Sequence, residues 1–400
     1  MKSGEKNMKV RAFTKDDVES YAQMVRYCFN MSQKDSVQYA KSITTFCRGF
    51  VAEDKGKTYS ASFYYPFHQN IHGSKFKMAG IGGVVTMPEA RNQGMVREQF
   101  KVMQKDMKKQ GYVTSCLQPF KPTYYQNKFG WANASQRLQC RIEVCDIAPA
   151  NEEFEFIRID KALPKHFSDI EKKFASLYNG SSYMDKHFWT EEIMFCWGHT
   201  KELYSYLIRH NGKDVAYVIF SYRESKKEYG VDLIVRDYGY IDYIGAKGIF
   251  SLIRKHRDQA GEVVISLPEN FDLYHFAPCN LHKIMWKSFM MFKVVDVKNA
   301  MLLYKIPENL SFDFQLEIED PLEGDQPLAY AFSIENGEIT LIEKSDYIIK
   351  CQIDSFSRMF IGRNSIHDLI TYGEVEISEK IIELVNQLFP KDIVFIKDMF

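Results

Sequence analysis

The chain has 400 residues, is 45% hydrophobic and carries 52 basic and 52 acidic side chains, a formal net charge of +0. That balance gives no global field for nucleic acid or an anionic membrane, and no apolar run reaches the length of a membrane span. The length suits two or three domains, while eight scattered cysteines without a Cys-x-x-Cys pair suggest reduced thiols and a cytoplasmic setting. The start, Met1-Lys2-Ser3-Gly4-Glu5-Lys6, lacks the apolar core of a signal peptide.

Thr14-Lys15-Asp16-Asp17 reads as a capped helix start, with Val18, Tyr21, Val25 and Phe29 as the apolar face. Strands are predicted at 50–54 and 61–66, joined by a turn at Lys55-Gly56-Lys57, and at 78–87. The last of these turns at Pro88-Glu89-Ala90 into Arg91-Asn92-Gln93-Gly94-Met95-Val96-Arg97 and a helix ending at Gly111. Val96, Phe100, Met103 and Met107 form its apolar stripe. A strand entering a helix through Arg-x-x-Gly leaves backbone N–H groups free at the helix start. A residue without Cβ there admits a close ligand, so the loop suits a phosphate or pyrophosphate. By itself the spacing also fits an ordinary β-turn-α unit. A strand at 112–117 behind the helix implies a partly parallel sheet, with ligands at the strand C-terminal ends.

The stretch from Pro119 to Trp131 sets Tyr124-Tyr125 ahead of the corner Phe129-Gly130-Trp131. After the loop 146–151 a similar plan repeats: a helix at 166–178, strands at 204–209, 215–222 and 230–240, a helix at 246–257 and a strand at 263–268. The second strand-to-helix turn, Asp242-Tyr243-Ile244-Gly245-Ala246-Lys247-Gly248, lacks Arg-x-x-Gly-x-x-Arg and also fails the Walker pattern. His275-x-x-x-Cys279-x-x-His282 has metal-ligand spacing but no fourth ligand nearby, so no metal is expected. From residue 299, strands at 300–304, 312–318 and 328–334 give way to a helix at 355–361, and with 372–375 and 381–388 completing it the stretch reads as a small α+β domain. The tail 393–400 is apolar and strand-forming up to Phe400.

Arg91-x-x-Gly94-x-x-Arg97, following Val84-Val85-Thr86-Met87-Pro88, resembles the acyl-CoA loop of the GNAT N-acetyltransferases. It looks more closely like the Eis (enhanced intracellular survival) branch. Two positions usually basic in that loop are Asn92 and Gln93 here, which shifts pyrophosphate binding toward backbone amides. The resemblance runs along the whole chain, with its motifs concentrated at 80–131 and at Phe400. It implies an α/β and α+β chain: tandem GNAT domains with mixed, partly parallel sheets, then a sterol-carrier-protein-like α+β domain. The implied boundaries are 1–150 for the catalytic domain, 151–298 for a second one without a CoA loop, and 299–400 for the last.

The implied reaction moves acetyl from acetyl-CoA, as co-substrate and without metal, to a primary amine on a lysine side chain, polyamine or aminoglycoside. Val84, Val85, Thr86, Asn92, Gln93, Gly94, Met95, Val96, Arg97 and Phe120 would hold the coenzyme. Tyr125 would be the general acid, with Tyr124 as the alternative because the family spacing is one residue shorter. The α-carboxylate of Phe400 would be the general base. The resemblance further implies a homo-oligomer, a hexamer in the family, and no nucleic-acid partner. Two rival readings are a non-enzymatic CoA- or lipid-binding carrier and a tandem-GNAT aminoacyl transferase using charged tRNA. For the latter, no basic groove or coiled-coil arm is visible.

Overall fold

A computed structural model describes residues 8–159, 165–185, 202–225, 230–279 and 283–398. They divide into two compact units. One contains the described residues up to Ala134 together with Met290–Asp392; the other contains Ser135–Phe289 and the tail from Ile393.

The first unit holds two sheets. The larger runs in the order Met8–Ala12, Arg48–Asp54, Lys57–Ile71, Ser74–Thr86, Thr114–Leu117, Met291–Val294, Ala132–Asn133. Its neighbours are antiparallel except Ser74–Thr86 and Thr114–Leu117, which are parallel and flank the crossover helix Met95–Lys109. That helix buries Met95, Phe100, Met103 and Met107, with Val96 packed at the margin of the same core. The smaller sheet runs Glu338–Ile342, Leu328–Glu335, Phe312–Glu319, Ile348–Gln352, Val375–Ile377, with Phe312–Glu319 parallel to Ile348–Gln352.

The second unit is one sheet in the order Lys283–Ser288, Gln136–Glu143, Ala260–Leu267, Val231–Tyr240, Lys213–Glu224, Tyr204–His210, Glu155–Ile159. Its parallel pair, Val231–Tyr240 with Ala260–Leu267, again brackets a crossover helix, Tyr243–Arg254. The expected repeat is therefore present, as two mixed sheets each with one parallel pair.

Several details differ from the sequence reading. The segment 300–304 is no strand: helix Val297–Leu302 forms there because the Asp296 carboxylate accepts from Asn299 N–H and Val297, Ala300 and Met301 share one buried face. Phe29 lies 42% exposed beyond helix Val18–Cys28, and Ala22 and Met24 join Tyr21 and Val25 inside instead. Along the tail, pairing is a single bridge between Val394 and Asn179; Met399 and Phe400 lie outside the described residues. Sheet pairing also crosses positions 150 and 298. Gln136–Glu143 is a strand of the second sheet and Met291–Val294 a strand of the first.

Candidate active site

The site begins with a strand that loses one neighbour. Ser74–Thr86 pairs in parallel with Thr114–Leu117 only from Met78 to Ile81. From there to Thr86 its described pairing is with Lys57–Ile71 alone. The register with that partner shifts between Ala61 and Phe63, a β-bulge that places Gly83 at φ +62. A Cβ at Gly83 would stand 2.4 Å from the Tyr21 hydroxyl, which itself donates to the Gly83 carbonyl. The bulge bends the strand where its parallel neighbour ends, leaving a backbone edge at Val84–Thr86 able to pair with an extended ligand.

A buried polar chain fixes the crossover helix against this strand. Ser60 Oγ lies 2.9 Å from the Val85 carbonyl oxygen and 2.7 Å from Gln99 Oε1, while Gln99 Nε2 donates to the Phe50 carbonyl. Neither residue was singled out from the sequence. A glutamine one position from Phe100 interrupts the apolar face of the helix, which is the signal that could have found it.

The loop between strand and helix takes the shape the Arg-x-x-Gly spacing predicts. Pro88–Ala90 forms a 3-10 turn, Asn92 adopts φ +59, and Gly94 caps the helix at φ +86. Among the described residues no side chain caps this start, and the first intrahelical bond runs from Glu98 N–H to the Gly94 carbonyl. The amides of Met95, Val96 and Arg97 therefore keep no intrahelical acceptor, and the helix dipole favours an anion beside them. A Cβ on Gly94 would meet nothing within 4 Å, so glycine is needed for its left-handed φ and leaves open space before the amides.

The side chains of the loop do less than its backbone. Arg91 Nε donates to the Thr86 carbonyl and Gln93 Nε2 to the Glu89 carbonyl. Arg97 donates to the carbonyls of Lys128 and, at 2.6 Å, Pro321. Its guanidinium thus ties the helix start to the closing domain, and the expected coenzyme contact of Arg97 rests on its amide.

Helix Pro122–Phe129 carries both tyrosines. Tyr125 is 5% exposed and lies in the core cluster of Leu117, Phe100, Phe129 and Trp131, against which Val84, Val96 and Tyr124 pack. The strand edge, the helix start and Tyr125 thereby share one apolar cluster. Burial pushes the Tyr125 phenol well above its ordinary value, with Tyr124 adding to the shift. Tyr124 is less buried, rises for the same reason, and lies against Lys128, whose ammonium is 5.0 Å from its ring centroid. Phe120 is 77% exposed, 5.6 Å from the Tyr125 ring.

The second unit closes the equivalent helix start. The Asp242 carboxylate accepts from Gly245 N–H there, and a Cβ on Gly245 would stand 2.3 Å from the Val215 carbonyl oxygen. A fixed carboxylate and close packing occupy the position where the first unit leaves bare amides. His275 Nε2 lies 3.2 Å from Asp272 Oδ2, both exposed, and His282 lies outside the described residues.

Residues 9–134 match an acetyltransferase (GNAT) domain family, residues 182–294 match another family of that description, and 297–397 match the sterol carrier protein domain. The chain therefore carries tandem GNAT acetyltransferase domains followed by a sterol-carrier-like domain. Among solved structures it resembles a GCN5-related N-acetyltransferase from Anabaena variabilis, at TM-score 0.86 and 20% identity over 98% of this chain and 100% of that one. A conserved protein of unknown function from Enterococcus faecalis gives the same figures. Eis1 from Mycobacterium abscessus aligns at TM-score 0.76 and 15% identity, over 98% of this chain and 100% of that one. No curated protein matches the sequence. The GNAT fold supports acyl transfer, and no described helix is long and apolar enough to cross a membrane.

Proposed function

We propose that the chain is an Eis-like N-acetyltransferase that moves acetyl from acetyl-CoA to a primary amine in the first GNAT domain. The observation that carries this reading is the edge at Val84–Thr86, whose described strand pairing is on one side alone, beside the helix start at Met95–Arg97, with Tyr125 in the same cluster. The edge would pair with the pantetheine amides, and the amides of Met95, Val96 and Arg97 would hold the pyrophosphate, aided by Asn92 and Gln93. A free amine has a pKa of about 10.4 and arrives protonated, so a base must take one proton before nitrogen attacks the thioester carbon. The proposed base is the α-carboxylate of Phe400, which lies outside the described residues. As the C–S bond breaks, Tyr125 hands its hydroxyl proton to the leaving thiolate, and the second proton shed by the acylated nitrogen returns to the phenolate, which leaves the amide, the free thiol and a neutral tyrosine. Burial keeps that phenol protonated until thiolate charge develops beside it.

The test is thiol release from acetyl-CoA with a lysine peptide, a polyamine and an aminoglycoside, alongside native mass spectrometry. Saturable acetyl-CoA binding with amine-dependent thiol release is expected. No binding would overturn the reading, and co-purified lipid in its place would favour a carrier. Appending one alanine after Phe400 converts the proposed base to an amide, and a loss of about a hundredfold in kcat is expected. Wild-type turnover by the extended chain would remove Phe400 from the reaction.

A further inference from the structure

The second unit buries a cluster of charges that acyl transfer does not use. Ile393 to Asp398 threads into this unit. Phe395 is fully buried in its core, edge-on to Phe174 at 6.2 Å and Tyr178 at 5.7 Å. The backbone is held as well: Phe395 N–H donates to the Asn179 carbonyl, Ser181 Oγ donates to the Phe395 carbonyl, and Ile396 N–H donates to Ser135 Oγ.

The next two residues are charged, and both side chains are buried. Lys397 Nζ lies 2.5 Å from Asp237 Oδ1, 3.0 Å from the Tyr217 hydroxyl and 3.7 Å from Glu171 Oε1. The Tyr217 hydroxyl donates to the other Asp237 oxygen at 2.9 Å, and Ser182 Oγ donates to Asp398. Four separate elements converge here: helix Lys165–Ala175, strands Ser182–Tyr183 and Lys213–Glu224, and strand Val231–Tyr240.

Apolar residues of similar volume would hold such a segment at least as firmly, because burying an ion pair costs much of what its attraction returns. What the pair adds is register. A slip of one residue along the tail would bring Asp398 toward Asp237 and draw the Lys397 ammonium away from it, setting like charges together where opposite ones now meet. We infer that Lys397 is a positioning residue, whose ion pair with Asp237 fixes the register of the C-terminal segment and so places the Phe400 carboxylate. This inference rests on the acyl-transfer reading above. Two residues of chain span at most about 7 Å, so a one-residue slip is a large fraction of the reach left to a base at position 400.

The test compares wild type with K397M/D237M, which keeps the site filled while removing the pair. It reads kcat, KM for acetyl-CoA, melting temperature, and amide exchange of Phe395 and Ile396 in the full chain. We expect kcat to fall about tenfold or more, KM to stay within about threefold, and exchange to quicken about tenfold; the Tm is read beside them because Glu171 and Asp398 stay in the cluster and lose the same ammonium. K397R, which keeps the pair, should return most of kcat. Should the double variant fail to fold, D237N carries the same readouts. Unchanged kcat and exchange in a folded variant would overturn the inference. If wild type itself transfers no acetyl, the functional reading fails, while the exchange comparison still decides whether the pair sets the register.

Discussion

Lys293 Nζ lies 2.8 Å from Asp320 Oδ1 with both side chains essentially sealed from water, and the same ammonium donates to the Phe129 carbonyl. The lysine belongs to the strand Met291–Val294 inserted into the first sheet, and the aspartate to the closing domain. Gln104, on the crossover helix, donates to Asp320 and to Glu323, and Lys108 pairs with Glu323 at 2.6 Å. One buried network therefore joins the crossover helix, the tyrosine-bearing helix and the sterol-carrier-like domain.

Replacing Lys293 by Met should strand the Asp320 carboxylate in the interior and destabilise the first unit by about 3–5 kcal/mol. The double variant K293M/D320L should recover most of that loss. Chemical denaturation of the three proteins measures it, and a single variant as stable as wild type would contradict the assignment of this pair as buried and coupled.

At Gly94 the space for a Cβ is open but the backbone is left-handed. Gly94→Ala should therefore cost only about 1 kcal/mol, as backbone strain. Gly94→Asp puts a carboxylate before the bare amides and should weaken acetyl-CoA binding by roughly tenfold or more, by calorimetry. Affinity within about threefold for the aspartate variant would show that no phosphate binds there.

Arg97 offers a sharper contrast. Its guanidinium is engaged by the carbonyls of Lys128 and Pro321, so Arg97→Met should lower stability by about 1–3 kcal/mol. Acetyl-CoA affinity should move by less than about threefold. A large affinity loss at unchanged Tm would instead make the guanidinium a phosphate ligand.

Tyr125→Phe should lower kcat by about a hundredfold with little change in KM for acetyl-CoA, because the hydroxyl is needed only as thiolate develops. Tyr124→Phe should stay active. The opposite ranking would shift the acid to Tyr124.

The tail should loosen as pH rises. Burial pushes the Asp398 carboxyl from an ordinary 3.8 up to about 6, against the pull of Lys397, and burial raises Glu171 in the same direction. Between about pH 4 and 6 the folded state then binds more protons at these groups than the unfolded chain. That contribution is present below the ordinary carboxyl range and is lost as pH rises through about 6. Asp237, Tyr217 and Lys397 face the same cluster, and Lys397, raised by its carboxylate neighbours, keeps its charge throughout this window. Exchange of the Phe395 and Ile396 amides, corrected for intrinsic rates, should be slower at pH 5 than at pH 7; equal protection would count against the cluster.

What could be read from the sequence was mostly local. The Arg-x-x-Gly turn, the apolar stripe from Val96 to Met107 and the tyrosine pair ahead of Gly130 are each set by residues within a dozen positions. Their shapes follow from period and turn chemistry. Arg97 was harder, because the Pro321 carbonyl it bonds is 224 residues away. The segment 300–304 looked like a strand from its apolar run, and only the Asp296 cap and one-sided burial make it a helix. Lys397 and Asp398 carry no local signal, because their partners Asp237 and Ser182 lie 160 and 216 residues away.

The strand Met291–Val294 has a consequence for how the protein must be made. As the nascent chain leaves the ribosome, Thr114–Leu117 has no partner on the side that Met291–Val294 will later occupy. At 5–20 residues per second, that vacancy lasts on the order of ten seconds. Until then the young domain shows an open sheet edge, the kind of surface that invites pairing with another chain. Synthesis of the amino-terminal domain alone should therefore yield material that clumps or is held by chaperones, and co-expressed halves should succeed only when the second half supplies residues 291–294.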